Sequence, residues 1–359
     1  MDLPHPLRAL LPAHPLPIVL IGAGGIARDA HLPAYRLAGF PVAVVQDLDG
    51  SRAEQLAADF GIPCVARTLA DAVAGAPAGA VFDVAVPASA LPGVLAGLPD
   101  GAPVLIQKPF GENLAQAREL LALCRRKRLR AAVNFQLRYA PVVLAARELI
   151  AAGTIGDVHD MEVRVTVHTP WHLWTFLERT PRVEILYHSI HYLDLIRSFL
   201  GEPAGIYAKT VKSPLTPRLA ATRTALLLDY GEERRATVTA NHGHDFGPRH
   251  QESYIKWEGT RGAIKAQLGV LLDYPRGSSD YLEVCTVRAG DPAREWRVQP
   301  VEGSWFPHAF IGPMAAVQRF ASGETTTLPT GVDDALRTMA LVEAAYQSSQ
   351  SGSTPIPSA

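Results

Sequence analysis

The sequence predicts an α/β protein in two parts. A doubly wound parallel sheet is expected over residues 1–135, and an α+β segment with a mostly antiparallel open sheet over residues 136–359. Three observations predict this. Short apolar runs alternate with helical patterns from residue 17 to residue 135, a glycine-rich turn directly follows the first of those runs, and beyond Phe135 strand patterns succeed one another with few helices between them.

The runs Ile18–Ile21, Val42–Gln46, Val81–Val86, Val104–Ile106 and Ala131–Phe135 read as strands. Helical patterns lie near Ile26–Leu37, Ser51–Phe60, Leu69–Ala74, Leu91–Leu98 and Leu114–Arg126. Strands separated by helices pair in parallel, and parallel strands covered on both faces are apolar throughout. After Phe135 the pattern changes. A helix is expected at Val142–Ala152, ended by Gly153. In Glu162–His168, Val163, Val165 and Val167 alternate with Glu162, Arg164, Thr166 and His168, as in a strand with one buried and one open face. Further strands are expected at Ile206–Val211, Thr224–Tyr230, Ala236–Asn241, Tyr254–Trp257 and Ala263–Gln267, and a last helix at Val332–Gln350. The tail SGSTPIPSA reads as disordered.

Composition narrows the function classes. The chain of 359 residues suits two domains of ordinary size. Its 34 basic and 35 acidic residues give a formal net charge of -1, so no global field recruits nucleic acid or an anionic membrane. A small-molecule partner is expected, with no nucleic acid and no membrane. The run Arg125–Arg128 closes a helix, where cations complement the helix dipole, and without a recognition motif it is not read as a nucleic-acid patch. Three scattered cysteines form neither a disulfide framework nor a zinc motif. The proline-broken start MDLPHPLRALLPAHPLP lacks the form of a signal peptide, and no apolar run has the length of a membrane span. The expected location is the cytoplasm.

Gly22-Ala23-Gly24-Gly25-Ile26-Ala27 reads as GxGxxA between a strand and a helix. Gly22 allows the tight turn, Gly24 the close approach of a pyrophosphate, and Ala27 close helix–strand packing. The helix N-terminus offers N–H groups and a positive dipole end to phosphate. The second strand leads into Asp47, twenty-five positions after Gly22, where a carboxylate accepts from ribose hydroxyls and repels a 2′-phosphate. This is a Rossmann signature that favours NAD, and Arg52 nearby leaves NADP open. The bland alternative makes the glycines a simple turn and Asp47 a helix cap.

These motifs resemble the Gfo/Idh/MocA oxidoreductases, the group of glucose–fructose oxidoreductase and the inositol dehydrogenases. The likeness runs from about Pro17 to about Gly352. It rests on Gly22–Ala27, His31-Leu32-Pro33-Ala34, Asp47-Leu48-Asp49 with Arg52-Ala53, Gln107-Lys108-Pro109, Asn134–Tyr139, and His191-Tyr192-Leu193-Asp194 leading to Leu200-Gly201. The resemblance implies a nicotinamide dinucleotide, a sugar, sugar acid or cyclic polyol as substrate, and a C-terminal open sheet that makes a homodimer or homotetramer. It implies that Lys108 touches the nicotinamide ribose and the substrate hydroxyl, an ammonium there lowering the cost of a developing alkoxide. It also places His191 as the group that takes the hydroxyl proton, which suits an imidazole. Asp194, one turn on, either orients that ring or anchors the helix.

The chain departs from the family pattern in three places. Gln107 stands where the motif usually has Glu. Tyr187, followed by His188, stands where many members have Asp four residues before the histidine. The proline loop after the fourth strand is present as Val86-Pro87-Ala88, without its usual histidine. Either Tyr187 or His188 supplements His191, or the site is specialised differently; the bland alternative is that both are packing groups on a buried helix. Cofactor contacts are expected from Gly22, Gly24, Gly25, Ile26, Ala27, Asp47, Arg52, Val86, Pro87 and Lys108.

Aromatic faces with polar tips suit a sugar. In His168-Thr169-Pro170-Trp171-His172-Leu173-Trp174, therefore, His168, Trp171 and His172 are substrate candidates, with His188, His191 and Arg138 adding contacts. The tryptophans are equally readable as core or as a dimer contact. The histidines of Asn241–His250 (NHGHDFGPRH) have no ordered spacing and read as a polar loop, so no metal is expected. Two other functions stay open: a non-catalytic dinucleotide-binding sensor, and an oxidoreductase that keeps its dinucleotide bound and cycles between two sugars.

Overall fold

A computed structural model describes residues 3–274, 276–287 and 294–357. The chain divides into two units, Met1–Ala145 with Glu302–Met339, and Ala146–Val301 with Ala340–Ala359.

The first unit is built on a parallel sheet of β1 (Ile18–Ile21), β2 (Val42–Gln46), β3 (Cys64–Ala66), β4 (Val81–Val84), β5 (Pro103–Ile106) and β6 (Arg130–Val133). The strand order is β3-β2-β1-β4-β5-β6, the doubly wound arrangement the alternation predicts, and its connection reverses direction beside β1. All four residues of β1 are at most 1% exposed, as a strand flanked by parallel neighbours and covered on both faces requires. The edge strand β3 spans only three residues, with Cys64 exposed and Val65 half-buried, too short a run for the sequence to announce it. The helix Ile311–Ala321 was equally silent. It buries Ile311, Met314, Ala315 and Val317 in the core of this unit, far along the chain from the sheet it supports.

The second unit holds an eight-stranded sheet among the described residues, ordered β14-β13-β12-β11-β7-β10-β9-β8. Its strands are β7 (Val158–Thr166), β8 (Gly205–Val211), β9 (Arg223–Asp229), β10 (Arg235–Asn241), β11 (Glu252–Gly259), β12 (Gly262–Gln267), β13 (Tyr281–Thr286) and β14 (Arg297–Gln299). Every pair is antiparallel except β7 with β10. Met161, Val163, Val165 and Val167 are buried, as the alternation requires, while Arg164 on the other face pairs with Glu252 at 2.6 Å. The last two strands were not foreseen. The helix Val332–Ser351 begins where expected, and residues 352–357 have no regular structure; the end of the tail expected to be disordered lies outside the described residues.

Among the described residues no helix is long and apolar enough to cross a membrane. Cys64, Cys124 and Cys285 are free thiols.

Candidate functional site

The nucleotide cradle grows from the end of β1. Gly22 has φ +103°, and a Cβ on it would stand 2.5 Å from the carbonyl oxygen of Ala85. Both facts require glycine: the torsion disfavours an L side chain, and the neighbouring strand end leaves no room. Gly24 differs. Nothing lies within 4 Å of where its Cβ would be, so no packing within the chain demands glycine there. The missing side chain instead leaves the outer face of the turn clear, which a pyrophosphate needs. Gly25 and Ile26 open the helix behind the turn, Ala27 is buried beneath it, and the N–H groups of Ala27 and Arg28 close on the Gly24 carbonyl at 3.1 and 3.2 Å. Replacing Gly22 by alanine should cost on the order of 1–3 kcal/mol of stability and weaken NAD binding at least tenfold, measurable by thermal denaturation and calorimetric titration.

Asp47 is not a helix cap. Its Oδ2 accepts from the N–H of Ala23 at 2.7 Å and its Oδ1 from the N–H of Asp49 at 2.8 Å, so it ties the glycine turn to the end of β2. Asp49 caps the helix Gly50–Phe60, accepting from the N–H of Arg52 at 3.2 Å. Each Asp47 oxygen keeps lone-pair capacity for a ribose hydroxyl. Leu48 beside it is 100% exposed, and Arg52 is exposed with its guanidinium 3.6 Å from Asp49. Val86 is half-buried and Pro87 exposed beyond β4. A turn clear of side chains, a helix N-terminus and an acidic group at the second strand form a donor and acceptor set that fits a dinucleotide.

Lys108 follows β5, at the carboxyl edge where doubly wound sheets bind ligands. It is half-buried, and burial of its amino group lowers the pKa from 10.5 to about 8. The preceding Gln107 is held from below. Its Oε1 accepts from Asn134 Nδ2 at 2.9 Å, and that nitrogen lies 3.3 Å from His31 Nε2. His31 Nδ1 is 2.7 Å from Asp83 Oδ2, which also accepts from the Tyr35 hydroxyl at 2.7 Å. His31, Asp83 and Asn134 are all fully buried. Burial and the adjacent Asp83 push the Tyr35 phenol far above its ordinary pKa, so it remains a donor. One carboxylate already occupies this dry chain. Gln107 adds an uncharged amide to it, whose oxygen takes the Asn134 hydrogen.

Arg138 donates to Asp334 at 2.6 Å and to the Pro329 carbonyl at 3.1 Å. Its guanidinium anchors the first turn of helix Val332–Ser351.

In the second unit, Tyr187 and His188 lie on a π-helical turn, Ile185–Ser189, that runs into the helix Ile190–Leu200 carrying His191 and Asp194. Such turns occur often at functional sites and change the angular phase of the side chains, so simple α-helical spacing from Tyr187 does not hold. His191 is 5% and Asp194 1% exposed. Tyr187 packs its ring on Phe176 at 5.9 Å, beside a small apolar cluster of Leu177, Val183 and Leu219. His168 is half-buried with Nδ1 3.6 Å from Asp245, and His172 is exposed. Trp171 sets its edge against His188 at 5.4 Å and His242 at 5.8 Å, and the two imidazoles stand 4.3 Å apart.

His242 corrects the expectation of a polar loop. It is 1% exposed, its Nδ1 is 2.9 Å from Thr169 Oγ1, and its Nε2 is 3.5 Å from Glu184 Oε1. Glu184, also 1% exposed, accepts from the Ser189 hydroxyl at 2.7 Å. Sequence reasoning missed this carboxylate; the one signal available was a lone charge inside the otherwise apolar Val183–Leu186. Among the described residues no group of three or more His, Cys, Asp or Glu side chains converges as a metal site would.

Comparison with known proteins bears on both units. Residues 16–135 match the oxidoreductase family with an NAD-binding Rossmann fold, and residues 143–265 match the GFO/IDH/MocA C-terminal domain. A D-apiose dehydrogenase of Rhizobium rhizogenes is 27% identical over 353 residues, covering 93% of this chain and 95% of that protein. A 1,5-anhydro-D-fructose reductase of Ensifer adhaerens is 28% identical over 186 residues, 51% of this chain and 56% of that protein. The fold is also that of an Agrobacterium radiobacter oxidoreductase solved with NAD+, L-tartaric acid and magnesium, at a TM-score of 0.75, 22% identity, and coverage of 94% and 97% of the two chains.

Proposed function

The chain belongs to the Gfo/Idh/MocA oxidoreductase family, and from that premise we propose that it oxidises a secondary hydroxyl of a sugar, sugar acid or cyclic polyol with NAD as acceptor. The observation that carries this reading is Lys108, a partly desolvated amine at the carboxyl edge of a sheet whose first turn forms a dinucleotide cradle. The D-apiose dehydrogenase and the anhydrofructose reductase support a carbohydrate substrate.

In this reading Gly22, Gly24, Gly25, Ile26 and Ala27 receive the pyrophosphate, Asp47 the adenosine ribose, and Val86 and Pro87 border the nicotinamide half. Nicotinamide, when bound, supplies the hydride acceptor. Lys108 donates a hydrogen bond to the reacting oxygen and stabilises its growing negative charge. His191 removes the hydroxyl proton. His168, Trp171, His172 and His188 hold the rest of the carbohydrate, the aromatic ring on C–H faces and the imidazoles on hydroxyls. The protein contributes orientation and electrostatics while the redox chemistry is the cofactor's.

Asp47 favours NAD over NADP, since a 2′-phosphate would meet a carboxylate already anchored by two backbone N–H groups. A homodimer or homotetramer through the open face of the second sheet is supported by Tyr207, Leu227 and Val298, which expose 65, 38 and 66% of their surface there. Free thiols support a reducing location such as the cytoplasm.

The test is a panel of D-apiose, aldoses, sugar acids and cyclic polyols, with NADH and NADPH formation read in parallel. Turnover is expected with at least one carbohydrate, faster with NAD than with NADP. NAD binding without reduction by any member of the panel would overturn the dehydrogenase reading in favour of a dinucleotide sensor.

A further inference from the structure

The fold buries a carboxylate and an imidazole beside a half-exposed histidine, and simple packing does not require them. A polar group removed from water must be hydrogen-bonded, and buried polar groups commonly add no more stability than apolar groups of the same volume. Glu184 and His242 are each 1% exposed, and they come from segments far apart in the sequence, ahead of one helix and just beyond β10. Such breaches of sequence-level rules concentrate at functional sites.

The hydrogen-bond chemistry orders the cluster. A carboxyl oxygen 3.5 Å from His242 Nε2 lies beyond hydrogen-bond reach, but at that range it favours an N–H facing it over a lone pair, so Nε2 is the nitrogen that carries hydrogen. The other nitrogen of a neutral ring is then an acceptor, and the Thr169 hydroxyl, 2.9 Å away, donates to it. The Thr169 N–H donates to the His242 carbonyl at 3.1 Å, so the two residues are tied at backbone and side chain. The ring held in this way stands 4.3 Å from that of His188, tilted 36° to it, and Trp171 closes the edge of both. His188 is itself only half-buried.

We propose that Glu184 and His242 are positioning residues for His188: the buried carboxylate selects the Nε2–H tautomer of His242, and the fixed His242 ring stacks on His188 and holds its imidazole as a hydrogen-bonding group for a hydroxyl of the bound sugar or polyol. The substrate half of this statement rests on the dehydrogenase reading above; the tautomer and the stacking do not.

Long-range imidazole 1H–15N spectra of the full chain test the second half without any substrate. His242 and His188 are identified by the signals lost in His242→Phe, which keeps a ring in the stack, and in His188→Gln. The expected result is the Nε2–H tautomer for His242 in the unaltered protein. Glu184→Gln, which still accepts from Ser189, should convert it to a mixture and shift the His188 signals. An Nδ1–H tautomer for His242, or His188 signals unmoved in both Glu184→Gln and His242→Phe, overturns the proposal. If Glu184→Gln fails to fold, the unaltered protein and His242→Phe decide.

Turnover with the best substrate of the panel tests the first half. Glu184→Gln should lower kcat about tenfold with the KM for NAD unchanged, and Glu184→Gln combined with His188→Gln should be no slower than His188→Gln alone. Losses that multiply would mean that Glu184 does not act through His188. Absence of turnover across the panel would sink the dehydrogenase reading and leave the spectra to judge the tautomer and the stacking.

Discussion

Replacing Lys108 by methionine is expected to lower kcat by about 100- to 1000-fold while NAD binding changes by less than about threefold. The apolar chain fills similar volume and removes the charge together with the amino group's hydrogen-bond donors. A loss smaller than about tenfold would assign the stabilisation of the reacting oxygen to another group. The same substitution carries two pH predictions of defined sign. Burial lowers the folded-state pKa of Lys108 to about 8, against 10.5 for the free side chain. The ammonium is therefore present below about pH 8, and kcat/KM of the unaltered enzyme should decline on the alkaline side as it is lost. For stability, the unfolded chain binds the extra proton between about 8 and 10.5, so stability rises with pH across that window, and below it the charged amine is a burden on the fold. Lys108→Met should accordingly raise Tm at pH 7 while abolishing most turnover. That opposition separates a functional lysine from a structural one, because a side chain that merely supported the strand end would lose both together.

Replacing His191 by asparagine should lower kcat about 100- to 10000-fold, the range for removing a general base. Asparagine keeps a polar side chain in a position that is 5% exposed, so gross unfolding is not the expected cause. Thermal denaturation checks that, and calorimetric NAD binding should be unchanged. The pH profile gives the sharper readout. A base must be deprotonated to work, so kcat/KM of the unaltered enzyme falls on the acid side, and this limb should vanish in His191→Asn. If the limb persists, the proton goes elsewhere, and His188 is the next group to replace.

The parts of the molecule that were legible in advance are those whose cause is local. β1 and β2 read directly as apolar runs because each strand is flanked by parallel neighbours. Gly22 was legible as a turn residue, and the structure adds a second reason, the Ala85 carbonyl that a Cβ would strike. Asp47 was legible as an acid at the second strand, but its bond to Ala23 depends on where the glycine turn returns, which spacing does not reveal. The ion pair of Arg138 was illegible for a related reason, since its partner Asp334 lies 196 positions away. The helix Ile311–Ala321 and the strands β13 and β14 lacked a periodic signal strong enough to separate them from loop. Glu184 and His242 were illegible because their meaning comes from the pairing of β7 with β10, which brings Thr169 and His242 together across 73 positions. Read singly, one is a charge in an apolar run and the other a histidine in a polar loop.

The chemistry proposed here requires one hydroxyl to be served by groups from distant parts of the chain. A crystal structure with NAD and the best carbohydrate of the panel bound together measures that directly. It should show Lys108 Nζ and a ring nitrogen of His191 each within about 3 Å of the same substrate oxygen, with the carbon bearing that oxygen facing nicotinamide C4. Lys108 and His191 in separate cavities, or a substrate oxygen that reaches neither, would contradict it.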